Sequence, residues 1–227
     1  MLRTASVLMS AGLLLVAAGC SPTPAAGPSS APTSAASASG PLRTVDLAVP
    51  SGLAASPLDE ARTVQAPAGW TVSVFARLDG ARLLAWTPDG RLLVSRPKAG
   101  EVDVVTPVAG DRSAAPTTAP LLTGLDQPHG LAFHDGRLYV AQSDRVDVYG
   151  YADGRATDPR LVVGGLPDAK SPDLHGAYAH ALKSVAVGPD GAAYVSVGST
   201  GNISAEDRDA GPQRAVILRV PPGGGKA

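Results

Sequence analysis

Three stretches of the chain repeat one pattern of hydrophobic and polar positions. Each places four or five mostly apolar residues before a turn that ends in Asp-Gly, and a second apolar, β-rich run follows the turn. The copies are Arg82–Ser95, His129–Gln142 and Lys183–Val197. Glycine adopts positive φ without steric cost and Asp hydrogen-bonds its own backbone, so both residues suit a tight turn. The pattern therefore predicts three β-hairpins.

The spacing of these hairpins indicates the architecture. The turn glycines Gly90, Gly136 and Gly191 lie 46 and then 55 residues apart, a period typical of propeller blades that contain several short strands. A further strand is predicted after each hairpin, at Glu101–Thr106, Arg145–Tyr151 and Arg214–Val220. We therefore predict an all-β chain with about three blades of a β-propeller. An ordinary β-sandwich is the alternative, but it does not explain a repeat unit longer than one hairpin.

Composition agrees with this prediction and argues against nucleic-acid binding and against a membrane-spanning segment past the N-terminus. Of 227 residues 44% are hydrophobic, and 26 Gly with 21 Pro suit many turns and few long helices. The net charge of −1, without basic clusters, leaves no electrostatic footprint for nucleic acid. No segment past the N-terminus is long and apolar enough to span a bilayer.

The N-terminus has the pattern of an export signal. Arg3 supplies a positive charge, an apolar run follows over Ala5–Ala18, and Ala-Ala-Gly leads to Cys20. This arrangement resembles a bacterial lipobox, which implies a lipoprotein signal peptide over residues 1–20 and lipidation of Cys20. Membrane attachment through Cys20 would place the protein outside the cytoplasm, at the bacterial cell surface or in the periplasm. A plain cleaved signal peptide, with Cys20 as an incidental thiol, is the alternative.

A low-complexity segment follows the predicted signal peptide. From Ser21 to about Gly40 the residues are nearly all Ser, Pro, Ala, Thr and Gly, which cannot bury enough apolar area to offset chain entropy. Residues 41–64 form a transition without a clear element. We therefore predict a disordered tether and transition over residues 21–64 and a partial propeller domain over residues 65–227.

Candidate chemistry lies at one position of the repeat. The chain has no CxxC, HExxH, GxSxG or P-loop motif, so zinc, metalloprotease, hydrolase and nucleotide sites lack support. Eleven residues before the turn glycine stand Asp79 in the first copy and His180 in the third. With a one-residue deletion allowed, Asp126 has this place in the second copy. Loops that enter innermost strands open on a propeller's central channel, so we predict that these three side chains converge there.

Four histidines are candidates for a general base. Imidazole titrates near neutral pH, and His180 is the first candidate because of its repeat position, although a hydrogen-bonded loop residue is the alternative. His129 precedes an inner strand, where channel lining and packing are equally consistent with the sequence. His134 lies in a hairpin turn and is predicted to be exposed. His175, in a loop rich in breakers, is a second-rank candidate.

The run His180–Val220 resembles the glucose/sorbosone dehydrogenase family of quinoprotein β-propellers. The family pattern has a histidine ten residues before the Asp of a Gly-Pro-Asp-Gly turn, a strand that ends in Val-Gly-Ser or Ile-Gly-Asp, and an Asn-containing loop, here with Asn202. Ala66–Ala76 is similar to the family's start, and Gly124–Phe133 to its first full blade. The likeness covers about residues 66–226 and matches the sorbosone-type branch better than the glucose-type branch.

The resemblance implies a six-bladed propeller that oxidises a sugar or aldose hydroxyl, with pyrroloquinoline quinone (PQQ) and calcium as cofactors. His180 would take the hydroxyl proton while a hydride passes to the quinone. Ser199 stands where the glucose-type branch has an Asp that orients the histidine, and it would orient His180 without adding charge. Asp79, Asp126 and Asn202 are the candidates for contact with the cofactor.

Three blades fall short of the implied ring, which would need roughly another 150 residues at this period. The family's Arg-Asn segment and the basic residues that grip the quinone would lie beyond Ala227. Part of a ring would also leave strand edges and inter-blade faces exposed. We therefore expect a truncated product or partial sequence that is not catalytically competent as it stands.

Two function classes stay open at this point. The first is a lipid-anchored, extracytoplasmic, PQQ-dependent sugar dehydrogenase of sorbosone or glucose type. The second is a non-enzymatic extracytoplasmic propeller that binds a ligand or a protein partner, because one propeller scaffold hosts many functions. The residues indicate neither the particular substrate nor the oligomeric state.

Overall fold

A computed structural model describes residues 40–111, 113–171, 180–202, 207 and 214–225. The predicted signal peptide with Cys20, most of the predicted tether, and His175 lie outside the described residues. Within these ranges no helix reaches the length and hydrophobicity that crossing a bilayer requires.

A small sheet precedes the repeats. Strand β1 (Leu42–Ala48) pairs antiparallel with β2 (Thr63–Pro67) and parallel with β3 (Val72–Ser73), and a 3-10 turn follows β1 at Ser51–Leu53. The predicted transition over residues 41–64 therefore contains a strand. Its side chains are mostly exposed, so backbone pairing with a distant partner stabilises it more than burial does, and its hydrophobic pattern is correspondingly weak.

Three antiparallel sheets follow in chain order, and each has the order of a propeller blade. Their strands are consecutive neighbours, with the Asp-Gly turns between the first and second strands. The first sheet contains β4 (Leu84–Trp86), β5 (Leu92–Arg96), β6 (Glu101–Thr106) and β7 (Thr117–Leu122). The second contains β8 (Leu131–His134), β9 (Arg137–Ala141), β10 (Arg145–Ala152) and β11 (Arg155–Gly164). The third contains β12 (Ser184–Val187), β13 (Ala193–Val197) and β14 (Val216–Val220).

Hydrophobic cores lie between successive blades. Alternate residues of a strand point to opposite faces of its sheet, and β5 shows the consequence. Leu93 packs in one core with Leu138 and Val140 of the second blade, whereas Leu92 and Val94 pack in another core. A third core joins the second and third blades. The first and second hairpins therefore each serve two cores, which explains their nearly continuous apolar pattern.

The inner strands of neighbouring blades approach closely at Gly130. A Cβ atom at this position would lie 2.7 Å from Ser184 Cα and 2.7 Å from Val185 N. The Gly130 amide instead donates a hydrogen bond to the Lys183 carbonyl at 2.9 Å. The backbones of β8 and β12 therefore meet without an intervening side chain.

The hairpins and the third strand of each blade lie where the sequence predicts them, but other details differ. The fourth strands, β7 and β11, were not predicted because their outward positions are exposed and lack clean alternation. The apolar-alternating run Thr71–Ala76 predicts a strand, but only the two residues of β3 form one there. His134, predicted to be exposed, is only 23% exposed because it lies against the next hairpin turn, 3.7 Å from the position of a Cβ on Gly191.

Candidate active site on the upper face

The loops that enter the inner strands lie at one end of the blades, which we call the upper face; the Asp-Gly turns are at the opposite end. Hydrogen bonds join these loops to the end of β5 and to the turn between β5 and β6. Leu125 N donates to Gly100 O at 3.0 Å, and Arg96 Nε donates to Asp79 O at 2.9 Å. His180 stands in such a loop, before β12. The upper face therefore contains the residues predicted to carry chemistry.

His180 and Ser199 are in contact across the third blade. His180 precedes β12, and Ser199 follows β13, the strand that pairs with β12. His180 Nδ1 lies 3.0 Å from Ser199 Oγ, and both side chains are half-buried. The strand pairing thus brings together two residues 19 positions apart. The contact has the geometry expected of an oriented histidine, while the catalytic role of His180 stays a prediction.

The hydroxyl of Ser199 determines which imidazole nitrogen carries the proton. Ser199 Oγ donates a hydrogen bond to Gly201 O at 2.9 Å. A hydroxyl has one proton to donate, so Ser199 Oγ accepts from His180, and Nδ1 is the protonated nitrogen of neutral His180. Nε2 then carries a lone pair. The arrangement gives His180 the tautomer that a general base needs.

Gly198 makes the close approach of His180 sterically feasible. A Cβ on Gly198 would lie 2.6 Å from His180 O and 2.7 Å from His180 Cβ. Both atoms belong to backbone or to the first side-chain atom, so neither could move without moving the whole residue. The glycine of the Val-Gly-Ser pattern is therefore a packing requirement of the site.

Lys183 lies fully buried below the His180 loop. Its Nζ donates to Pro167 O at 2.6 Å and to Ala181 O at 2.5 Å. Burial lowers the pKa of the Lys183 ammonium to about 8, and the negative charges of Asp168 and Asp144 partly oppose that shift. A buried amine thus supports the backbone one residue after His180.

His129 packs between two blades. Its Nδ1 donates to Lys183 O at 3.1 Å, and burial lowers the pKa of His129. That hydrogen bond partly opposes the shift, while the charge of nearby Arg82 lowers the pKa further. Of the two readings that the sequence left open, packing describes the observed contact.

The aspartates predicted beside His180 have different surroundings. Asp126 Oδ2 forms an ion pair with Lys170, and this hydrogen bond is the main cause that lowers the pKa of Asp126. The Asp126 amide donates to Gln142 Oε1 at 2.7 Å. Asp79 is exposed on its upper-face loop, and Asn202 is exposed beyond the Ser199 loop. Cofactor contact by Asp79, Asp126 and Asn202 therefore stays a prediction.

A cleft of about 550 Å³ opens on the upper face among three entry loops. Its lining includes Arg82, Lys98, Gln127 and Leu182, two residues after His180. Gln127 has a φ of 49°, uncommon for a residue with a side chain. Two cations and an amide fit the carboxylates of an anionic cofactor such as PQQ. Within the described ranges no three His, Cys, Asp or Glu side chains cluster to hold a metal ion, so we assign no calcium ligands.

Sequence reasoning missed two features of this site. Lys183 stands within an apolar run, and a charged residue at such a position signals a buried polar contact. Asp207 contacts Thr200 and Arg214, but it is separated in sequence from both and forms no motif with them. The first could have been found from the hydrophobic pattern; the second depends on tertiary contact.

Comparison with known proteins identifies a family match over most of the blades. A family model described as TrAA12-like matches residues 64–221. This match confirms the relationship to the glucose dehydrogenase family that the sequence predicts; the sorbosone-type branch stays a prediction. No curated protein sequence matches the chain.

The chain is similar to several solved structures. The PQQ domain of pyranose dehydrogenase from Coprinopsis cinerea, in its holo form, has a TM-score of 0.54 and 22% identity over 67% of this chain and 36% of that one. The PQQ-bound aldose sugar dehydrogenase from Streptomyces coelicolor has a TM-score of 0.49 and 21% identity, over 68% of this chain and 48% of that one. This chain thus spans 36% of the length of the Coprinopsis domain. The first likeness confirms the predicted all-β propeller class, with three blades of an incomplete ring.

Proposed function

The chain belongs to the TrAA12-like family, and on that premise we propose that it forms part of a PQQ-dependent sugar dehydrogenase. The observation that carries the proposal is the contact between His180 Nδ1 and Ser199 Oγ. Because the Ser199 proton is donated to Gly201 O, the imidazole presents Nε2 as its basic nitrogen. A base of this kind suits the removal of a proton from a sugar hydroxyl.

His180 would act as the general base of this reaction. Nε2 takes the hydroxyl proton as the carbon atom loses its hydride, and Ser199 keeps the ring in place through Nδ1. PQQ, when bound, supplies the hydride acceptor. Ser199 is a neutral partner, so it orients the ring but adds no negative charge to stabilise an imidazolium.

Arg82, Lys98 and Gln127 would hold an anionic cofactor on the upper face. They line the cleft that also contains Leu182, close in sequence to His180. Arginine and lysine form charge-assisted hydrogen bonds with carboxylates, and Gln127 offers an amide donor. Asp79, Asp126 and Asn202 stay as secondary candidates for cofactor contact, because no contact of theirs singles out a ligand.

Reconstitution of the protein with PQQ and calcium tests the proposal. Dye reduction with a panel of aldoses measures dehydrogenase activity, and His180→Gln is the diagnostic variant. Loss of a positioned base lowers the rate by about 10²–10⁴-fold, so activity should fall by that amount while the folded state persists. Absence of activity in an in-frame form with further blades, or full activity of His180→Gln in an active preparation, would contradict it.

We also propose that the protein is attached to a membrane outside the cytoplasm through Cys20. The support is the lipobox-like sequence before Cys20. Lipidation adds mass to the N-terminal peptide and moves the protein to the detergent phase. Cys20→Ser should abolish both effects in a bacterial host that processes lipoproteins. An unmodified wild-type Cys20 thiol in that host would show the attachment to be wrong.

A further inference from the structure

A buried ion pair lies beside the Ser199 loop. Asp207 Oδ1 is 3.3 Å from Arg214 Nε, and the two side chains are only 7% and 8% exposed. Arg214 stands just before β14, the third strand of the blade that carries His180. A buried carboxylate is costly unless charged or hydrogen-bonding groups compensate it, so the contacts of Asp207 determine the local geometry.

The same carboxylate binds Thr200 by two hydrogen bonds. Thr200 N donates to Asp207 Oδ2 at 2.8 Å, and Thr200 Oγ1 donates to Asp207 Oδ1 at 2.7 Å. One bond holds the backbone and the other holds the side chain, which restricts both the position and the rotation of Thr200. Charge-assisted hydrogen bonds of this kind are among the stronger ones in proteins.

Thr200 lies between Ser199 and Gly201, which are joined by a hydrogen bond. Ser199 precedes it and accepts from His180 Nδ1; Gly201 follows it and accepts the Ser199 hydroxyl proton through its carbonyl. Displacement of Thr200 would move Ser199 and Gly201, and with them the two hydrogen bonds of the Ser199 hydroxyl. Asp207 therefore holds the residue that lies between Ser199 and its acceptor Gly201.

We propose that Asp207 is a positioning residue for His180, acting through Thr200 and Ser199 to keep neutral His180 in its Nδ1-protonated tautomer. The charge is placed one residue away from the serine, so the carboxylate orients the base without pairing with the imidazole. This inference rests on the proposed function for its catalytic consequence. The tautomer itself is a structural property that can be measured without activity.

Nitrogen-15 NMR of the histidine-labelled full chain tests the proposal. Long-range proton–nitrogen spectra identify the protonated ring nitrogen, and His180→Gln assigns the signal of His180. In the wild type the neutral ring should show Nδ1 protonated. Asp207→Ala should convert this signal to a mixture of tautomers, and Thr200→Val, which removes the hydroxyl bond alone, should convert it in part.

Asp190→Ala is the matched control. Asp190 pairs with Arg219 at 2.7 Å on a turn of the same blade, but both side chains are 52% exposed. This variant also removes a carboxylate from an ion pair in the third blade and should leave the His180 signal unchanged. Unfolding curves of all variants show whether the blade remains folded. If Asp207→Ala unfolds the domain, Thr200→Val carries the test.

Two outcomes overturn the inference, and both differ from failure of the proposed function. An Nδ1-protonated His180 signal that survives in folded Asp207→Ala, or in Thr200→Val when Asp207→Ala does not fold, shows that Asp207 does not position the ring. If Asp190→Ala alters the His180 signal as much as Asp207→Ala does, the change is a general effect of ion-pair loss. If the dehydrogenase role is wrong instead, the tautomer still responds to Asp207 while His180→Gln leaves activity unchanged. In active preparations, we expect Asp207→Ala to lower kcat with little change in KM.

Discussion

The second and third blades place different chemistry at the same position of the repeat. In the second blade Asp126 pairs with the exposed Lys170, so its charge is neutralised by a nearby cation. In the third blade His180 Nδ1 contacts the neutral hydroxyl of Ser199. Lys170 and Lys183 both lie in the segment between β11 and β12, but Lys183 is fully buried and donates to backbone carbonyls. One position is thus arranged as an ion pair and the other as an imidazole held by a neutral hydroxyl.

The comparison shows that repeat position alone does not define a functional residue. A loop position at the channel end of a blade makes a side chain available, while its neighbours decide whether a reactive atom remains uncommitted. The Asp126 carboxylate is held by a cation, which lowers its pKa and makes it a weak base at neutral pH. The hydrogen-bond partner of His180 Nδ1 is instead the uncharged hydroxyl of Ser199, which is the arrangement that the proposed role as a base requires.

Gly198→Ala should have the largest effect, because it forces His180 away from Ser199. The new Cβ would lie 2.6 Å from His180 O, and a displacement of about 1 Å can cost about 10² in rate. Overpacking should also lower the free energy of unfolding by about 1–3 kcal/mol. Steady-state kinetics and urea unfolding measure the two effects.

Gly201→Ala is the matched control for that substitution. Nothing lies within 4 Å of a Cβ on Gly201, so the same chemical change in the same loop should leave activity and stability nearly unchanged. Equal losses in both variants would mean that loop flexibility, rather than the close approach of His180, determines the effect.

Lys183 should give the folded state an unusual dependence on pH. Its pKa falls from 10.5 to about 8 on folding, so between these values the unfolded chain binds a proton that the folded chain lacks. The free energy of unfolding should therefore rise as pH increases from 8 to 10.5, by up to about 3 kcal/mol for this group. Chemical unfolding at several pH values should show this rise in the wild type.

Lys183→Met should remove this rise, since the substituted side chain does not titrate. Lys170→Met is the control from the segment between β11 and β12, because the Lys170 side chain is 73% exposed and its loss should leave the rise in place. The same slope in wild type and Lys183→Met would contradict the assignment of the pH dependence to the buried amine.

The hydrophobic pattern predicted most of the blade framework, but the site only in part. Successive residues of β5 and of β9 alternate between two cores, and their nearly continuous apolar runs are visible in the sequence. The contact of His180 with Ser199 was expected from the family resemblance, and β12–β13 pairing explains it. The bonds from Asp207 to Thr200 could not be predicted, because they join loop residues whose positions depend on tertiary packing.

Dependence on tertiary contacts also explains why some strands were not predicted. The exposed residues of β7 and β11 contribute little to burial, and their pairing depends on the strand beside them. Likewise β1 is held by pairing with β2, a partner that local sequence does not reveal. Strands stabilised by their neighbours carry a weak pattern of their own.

Ser199→Ala should have a smaller effect than Gly198→Ala. It removes the acceptor for His180 Nδ1 without introducing a clash, so the ring should lose its preferred tautomer but remain in place. We expect about a tenfold loss in kcat, comparable to the net energy of one hydrogen bond of about 1 kcal/mol. Ser196→Ala, at a serine of the neighbouring strand β13, should leave kcat unchanged. An unchanged kcat in Ser199→Ala would show that the hydroxyl does not orient the base.

Asp126→Asn should have the smallest effect. It removes the charge of Asp126 from its ion pair with Lys170 in the second blade. Exposed ion pairs contribute little, so the midpoint of thermal unfolding at neutral pH should fall by no more than about 2 °C. The folded-state pKa of Asp126 is lowered, so its contribution exists above the unfolded pKa and disappears as pH falls through the folded value. Wild type and Asp126→Asn should therefore unfold at the same temperature in strong acid. The ion-pair interpretation expects unchanged activity, since Lys170 already engages the carboxylate. A large loss in kcat would instead support Asp126 as a contact of the cofactor or substrate and make the two blades alike.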